Sequence, residues 1–372
     1  TNTLSIYGET LEWYYVRTSE GYFGYIQKSD ASQKVVEIGL VEPFEKVPYQ
    51  ASKNFDGKVN VVWHQVTTVS SNSYIADALE GVHGLDVISP TWFALDDEAG
   101  NVSNIASIEY VNYAHSLGID VWALFSNSFS SSLTHEVLSS TEKREKVIKQ
   151  ILAFSALYEL DGINIDFESV AEEDGPYFVQ FIREITPYLK NQGLVVSVDM
   201  YVPKPWTEHY NRAALGEVID YLIIMGYDEH WGSSPESGSV ASINFVYEGI
   251  IDTLAVVPNE KVILGVPYYT RRWAEETIDG DISVSSRAYS MNAAYDMLVE
   301  NDAEIVWDDT VAQYYGEYTI SDVLYRIWLE EERSMEEKVS LAIEYDLAGI
   351  AGWKLGLEKD DIWDVLYDYL KD

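Results

Sequence analysis

The sequence has no cysteine, which excludes a disulfide framework, a thiolate nucleophile and zinc–thiolate sites. Histidine is sparse. His64, His83, His115, His135, His209 and His230 form no HxxxH or HxH pair, so no metal site is expected, and no DxDxDG calcium loop occurs. No cofactor is expected either. Positive charge is short: 24 Lys and Arg stand against 62 Asp and Glu, a net charge of −38. Phosphate binding needs clustered cations, so nucleic acid is excluded as a partner. No run approaches about 18 uncharged apolar residues, the length a membrane-spanning helix needs. The chain starts at Thr1 rather than Met, which suggests a leader or anchor ahead of it. The lack of cysteine fits the cytosol and equally the outside of a bacterium, and a monomer is expected.

What the 372 residues do hold is apolar and aromatic bulk. Hydrophobic residues make up 47%, enough for a large core and too many for a disordered chain. Eleven Trp and 28 Tyr in so acidic a chain fit stacking on sugar rings, although most of them must pack internally.

Residues 1–45 read as short strands with hairpins near Gly8 and Glu20-Gly21. The run from Trp13 to Lys28 alternates aromatic and polar residues, as a twisted ribbon does. It resembles the last strands of a bacterial SH3-like domain (W-x-x-V-R-x-x-x-G-x-x-G-x-V); a plain β-meander is the alternative. Residues 46–57 read as a linker. From residue 58 to 372 strands and helices alternate. The predicted strands are Val59–His64, Val87–Phe93, Asp120–Phe125, Gly162–Glu168, Val195–Met200, Tyr221–Tyr227, Val262–Tyr268 and Gly349–Leu355. Helical patterns fall near 73–81, 104–117, 141–159, 174–191, 208–217, 240–254, 334–346 and 361–371. Ser139 and Glu142 suggest a capping box for the third. Eight such units predict an α/β fold, a closed (β/α)8 TIM barrel. The seventh strand and its helix are separated by about 270–332, too long for an ordinary loop, and this predicts an inserted lobe at the barrel's C-terminal face.

The most informative segment is Leu160-Asp-Gly-Ile-Asn-Ile-Asp-Phe-Glu168. Side chains alternate across a strand, so Asn164, Asp166 and Glu168 share one face and Ile163, Ile165 and Phe167 the other. The apolar set suits the helix layer; the polar set must look into the lumen. Burial and the charge of Asp166 should raise the pKa of Glu168 and keep it protonated, which is what a departing sugar oxygen requires. Strand four should end at Glu168, the end at which barrel enzymes react.

The segment resembles the DGxDxDxE signature of glycoside hydrolase family 18. Asp161-Gly162, Asp166 and Glu168 match, and Asn164 replaces the first inner aspartate. Met225-Gly-Tyr-Asp228 resembles the family's M-x-Y-D, Gly265-Val-Pro-Tyr-Tyr269 its G-x-P-x-Y, and Ala351-Gly-Trp353 its last-strand Trp. The segments 230–242 and 352–358 look like the bacterial branch of spore-cortex and cell-wall hydrolases. The resemblance implies that Glu168 is the acid/base and that Asp166 holds the acetamido N–H. It implies that Tyr227, with Asp228 nearby, holds the acetamido oxygen and that Trp353 lies beneath the reacting sugar, with Asn164 and Met225 lining the site. Family 18 has no carboxylate nucleophile and is substrate-assisted, so retention of configuration is implied. Trp92, Tyr201 and Tyr268, near strand ends, are candidates to line subsites. Trp231, Trp273 and Trp307 are weighed equally between subsite walls and packing.

The implied partner is a polysaccharide of N-acetylated amino sugars, cut at its β-1,4 bonds, peptidoglycan before chitin. An endo-N-acetylglucosaminidase of glycoproteins is the alternative among enzymes. A non-catalytic chitolectin is the alternative outside them, and the retained Glu168 speaks against it.

Overall fold

The computed structural model describes residues 4–18, 22–31, 53, 55–278 and 280–371. The chain forms two compact units, Thr1–Gln50 and Ala51–Asp372. In the first, β1 (Ser5–Glu9), β2 (Trp13–Arg17) and β3 (Phe23–Gln27) form an antiparallel meander. Cross-strand aromatics hold one face: Tyr15 lies 5.6 Å from Phe23 and 5.0 Å from Tyr25, ring centre to ring centre. Most of the expected linker at 46–57 lies outside the described residues. The rest of it belongs to the second unit. Lys53 pairs with Asp120, and Phe55 meets Trp122 edge-on at 6.0 Å.

The second unit is the predicted barrel. Its strands, with one short edge strand, are β4 (Val59–His64), β5 (Val87–Leu95), β6 (Val102–Asn104), β7 (Asp120–Ser126), β8 (Gly162–Asp166), β9 (Val195–Tyr201), β10 (Tyr221–Met225) and β11 (Val262–Pro267). After β12 (Tyr269–Ile278), β13 (Asp281–Ser290), β14 (Ile305–Asp308), β15 (Gln313–Ile320) and β16 (Val323–Trp328) comes the last barrel strand, β17 (Gly349–Trp353). Parallel pairing runs β4-β17-β11-β10-β9-β8-β7-β5, and β4 pairs with β5 to close the ring, while β6 lies antiparallel on β5.

The helices are α1 (Ile75–Ala78), α2 (Ile108–Ser116), α3 (Ser131–Leu138), α4 (Thr141–Tyr158), α5 (Gly175–Asn191), α6 (Arg212–Gly216), α7 (Ile243–Leu254), α8 (Met291–Glu300), α9 (Glu332–Glu344) and α10 (Asp361–Lys371). Among the described residues no helix is long and apolar enough to cross a membrane. The α4 cap is Ser140, whose hydroxyl accepts from Lys143 N–H, and not the expected Ser139. Ser139 is instead the C-cap of α3, a helix the sequence pattern does not announce.

Alternation sorts each barrel strand into two layers. Ile163, Ile165 and Phe167 face outward into the core formed with α5, where Phe167 stacks on Phe181 at 5.7 Å and Phe178 at 5.8 Å. Burial of each such side chain contributes roughly 1.5–3 kcal/mol. Val59, Val61, Trp63, Trp122, Leu124, Tyr221, Ile223 and Ile263 belong to a separate apolar cluster that plugs the lumen. Gly162 has no room for a side chain, because a Cβ there would sit 2.6 Å from the Trp122 ring. The insertion is a five-stranded antiparallel sheet, β13-β12-β16-β15-β14, packed on α8 through Ala294, Leu298, Tyr318 and Ile327.

Candidate active site

Above the apolar plug the lumen turns polar. Asn164 is fully buried and fixed on every side. Its Oδ1 accepts from Trp63 Nε1 at 2.9 Å and Ser89 Oγ at 3.2 Å, and its Nδ2 donates to Ser197 Oγ at 3.0 Å and Asp199 Oδ1 at 2.7 Å. Asp166 follows on the same face, 8% exposed. Among the described residues no donor reaches its Oδ1. Asp161, though part of the matched motif, works away from this cluster: its Oδ2 accepts from Val121 N–H at 2.8 Å and bonds His115 Nε2 at 2.7 Å.

Strand β8 ends at Asp166, and Glu168 stands just beyond it at the barrel mouth. Its backbone is clamped by buried Asn127, which donates to the Glu168 carbonyl at 2.6 Å and accepts from the Glu168 N–H at 3.1 Å. Asn127 is itself tied to Thr134 Oγ1 on α3 at 2.8 Å. The chain then turns through Ser169 at φ 55°. Tyr210 closes that turn, its hydroxyl donating to Phe167 O at 3.3 Å and accepting from Val170 N–H at 3.2 Å. The Tyr201 hydroxyl hydrogen-bonds the Glu168 carboxyl.

Burial pushes the Glu168 carboxyl up; the Tyr201 hydrogen bond pulls it partly back and the charge of Asp228 adds to the rise. Asp166 is pushed well above the usual carboxylate range by burial and then by the charges of Glu168 and Asp199. The expected push of Asp166 on Glu168 thus shows as a push of Glu168 on Asp166. Asp199 is raised by burial too, opposed by its hydrogen bond from Asn164. His64, at the end of β4, is lowered to about 4 by burial and the Lys354 charge, and stays neutral near pH 7.

Aromatic rings frame these carboxyls. Trp353 ends β17 half-buried, edge-on to Trp63 at 5.8 Å, and Tyr227 meets Trp63 edge-on at 6.4 Å. Met225, 8% exposed, ends β10 on the lumen side. Asp228, at φ 58°, accepts from the Tyr269 hydroxyl at 2.6 Å and lies 3.6 Å from Arg271.

The structure therefore brings together Glu168, Asp166, Asn164, Tyr227, Asp228, Met225, Trp353 and Tyr201, and leaves out two candidates. Trp92 is 2% exposed, with its ring against Tyr110 and its indole N–H on Asn72. Tyr268 is fully buried against Gly352 and Trp363. Neither has a face to offer a sugar. Tyr268 is an odd number of residues from inward Ile263, and Trp92 sits at the irregularity between Thr91 and Phe93, where β5 slips register against β7. Tyr269, one residue on, is the tyrosine that reaches the site. Of the three remaining tryptophans, Trp273 on β12 is fully buried on Gly238 O, and Trp307 on β14 lies under Arg333 at 3.6 Å. Trp231 is 52% exposed.

Sequence reasoning missed Asp199, Trp63 and Asn127. Ser197, Asp199 and Tyr201 repeat on β9 the alternation that exposed Asn164, Asp166 and Glu168, so Asp199 was findable. Asn127 carries no such signal, since it lies after β7 and acts on backbone.

Comparison with known proteins agrees with this geometry. The profile of "Glycosyl hydrolases family 18" matches residues 52–358. The cortical fragment-lytic enzyme of Bacillus subtilis is 28% identical over 253 residues, 66% of this chain and 58% of that protein. The uncharacterized glycosylase YvbX of Bacillus subtilis is 26% identical over 301 residues, 76% of this chain and 84% of that one. The chain thus spans less than two thirds of the cortical enzyme's length. Among solved structures, the spore cortex-lytic enzyme SleL of Bacillus cereus superimposes with a TM-score of 0.76 at 23% identity, covering 84% of this chain and 74% of that one.

Proposed function

The chain belongs to family 18 of the glycosyl hydrolases, and from that premise we propose that it cuts β-1,4 bonds after N-acetylated amino sugars, peptidoglycan first and chitin second, by a substrate-assisted, retaining route. One observation carries the reading: a raised acid, Glu168, stands at the mouth just beyond a buried carboxyl whose Oδ1 meets no donor among the described residues. Glu168 protonates the glycosidic oxygen. The acetamido carbonyl of the sugar in the site attacks its own anomeric carbon, and the free oxygen of Asp166 accepts the acetamido N–H and faces the positive charge that develops. Tyr227 orients the acetamido oxygen. Trp353 supports the ring. Preorganised groups of this kind supply several kcal/mol of the barrier. Among the described residues no second carboxyl is placed as a nucleophile: Asp166 shares the acid's strand, and Asp199 is engaged by the Asn164 amide.

Peptidoglycan ranks first because a similar protein of Bacillus subtilis is named a cortical fragment-lytic enzyme, and because SH3-like modules, which residues 1–45 resemble, accompany cell-wall enzymes. That substrate places the enzyme outside the cell or on the wall. Mass spectrometry of the products from purified peptidoglycan and from chitin tests the reading. N-acetylated fragments from either support it, and intact polymer in both digests refutes it.

A further inference from the structure

The second buried carboxyl, Asp199, belongs to none of the roles above. Asn164 pairs across the β8–β9 ladder with Ser197 and Ile165 with Val198, so the next inward-facing pair is Asp166 and Asp199. Both are buried, at 8% and 3% exposure. Their donors are unequal. Trp63 and Ser89 both donate to Asn164 Oδ1, which fixes the amide's orientation and turns its NH2 toward Asp199, 2.7 Å away. Asp199 is thus solvated as an anion by the protein, while no donor among the described residues reaches Asp166 Oδ1. Two buried carboxyls on neighbouring strands cannot both ionise without large cost. With donors on one of them only, the resting proton belongs to Asp166. The other titratable groups facing the pair are Glu168, its hydrogen-bond partner Tyr201, Tyr210, Asp228 and Tyr227.

A protonated Asp166 cannot balance a cationic ring. We propose that Asp199 is the proton acceptor for Asp166: as the acetamido group docks, the proton leaves the Asp166 carboxyl for the Asp199 carboxylate, and Asp166 becomes the anion that faces the N–H. One proton moves from one oxygen to another, and the cluster's net charge is unchanged until Glu168 gives its own proton to the leaving oxygen. Asp199 acts through Asp166 and is a positioning residue; the step rests on the substrate-assisted reading above.

The test is Asp199→Asn in the full chain, beside the exchanged pair Asn164→Asp/Asp199→Asn, which returns a carboxylate to the same network with donor and acceptor reversed. In Asp199→Asn the pH range of kcat/KM narrows from both sides. On the acid side a protonated Asp166 has lost its acceptor, and on the alkaline side Glu168 ionises earlier with one anion fewer nearby. At the acid edge kcat falls about tenfold, one pKa unit's worth, while KM holds, and the exchanged pair restores the width. An unchanged profile in Asp199→Asn overturns the proposal, as does a folded exchanged pair that stays narrow. Infrared spectra separate this outcome from failure of the functional reading, because they need no turnover. The protonated-carboxyl band that Asp166→Asn removes at neutral pH is removed by Asp199→Asn as well; a band that persists in Asp199→Asn refutes the shared proton even if no N-acetylated glycan is cut.

Discussion

Truncating Asn127 to Ala tests whether the acid is held by its backbone. The Asn127 side chain satisfies both backbone groups of Glu168, at 2.6 and 3.1 Å. Without it, a carbonyl and an N–H lose their partners at a partly buried position. Each orphaned group costs about 1–3 kcal/mol. Glu168 is only half-buried, so water recovers part of this, and a loss of about 2–4 kcal/mol in urea unfolding follows. The turn through Ser169 is then free to relax, and displacement of a catalytic group by about 1 Å costs on the order of 10²-fold. The expected result is kcat reduced by about 10–10²-fold at little-changed KM. Asn127→Asp should be worse for its size, since it sets an anion against the Glu168 carbonyl. A stability change within about 0.5 kcal/mol, the range of an ordinary surface substitution, together with unaltered kcat, would refute the clamp.

Three other outcomes follow from the same geometry. Asp166, Glu168 and Asp199 all have raised folded-state pKa values, so their contribution to stability is complete below the unfolded carboxylate pKa and is lost as pH rises through the raised one. Asp166→Asn should therefore melt higher than wild type at neutral pH, with the gain vanishing on acidification below about pH 4, and thermal melts across pH check it. Residues 51–372 should fold alone, because the barrel and its matched motifs lie within that unit. Beginning at residue 58 removes Phe55 from under Trp122 and Lys53 from Asp120 and should cost about 1–3 kcal/mol in a denaturant melt. A thiazoline analogue of N-acetylglucosamine should inhibit competitively, and substrates with a free amine at C2 should react far more slowly. Capture of a glycosyl ester on any Asp or Glu would rule out the substrate-assisted route.

Much of this was legible in the sequence, for a physical reason. In a closed barrel each strand must sort its side chains by parity, so polar residues at alternate positions of an apolar strand can only be lumen residues. That rule yields Asn164, Asp166 and Glu168, and applied more strictly it yields Asp199 and rejects Tyr268; Trp92 escapes it, because β5 slips register against β7 there. What alternation cannot show lies off the strands. Asn127 and Tyr210 work through backbone hydrogen bonds in loops, and the insertion's five-stranded sheet pairs within itself, outside the barrel's repeat. Strands β8, β10 and β17 stop two residues short of their apolar-to-polar patterns because the chain leaves the ladder there to present Glu168, Tyr227 and the segment after Trp353.

Glu168→Gln is the most direct measurement, because it removes the transferable proton and keeps the shape of the side chain. Turnover of an N-acetylated oligosaccharide should fall by about 10²–10⁴-fold, the usual worth of a general acid, while calorimetric affinity for the same oligosaccharide stays within about twofold. A variant that keeps more than about a hundredth of the wild-type rate would show that the proton comes from another group and that Glu168 is not the acid.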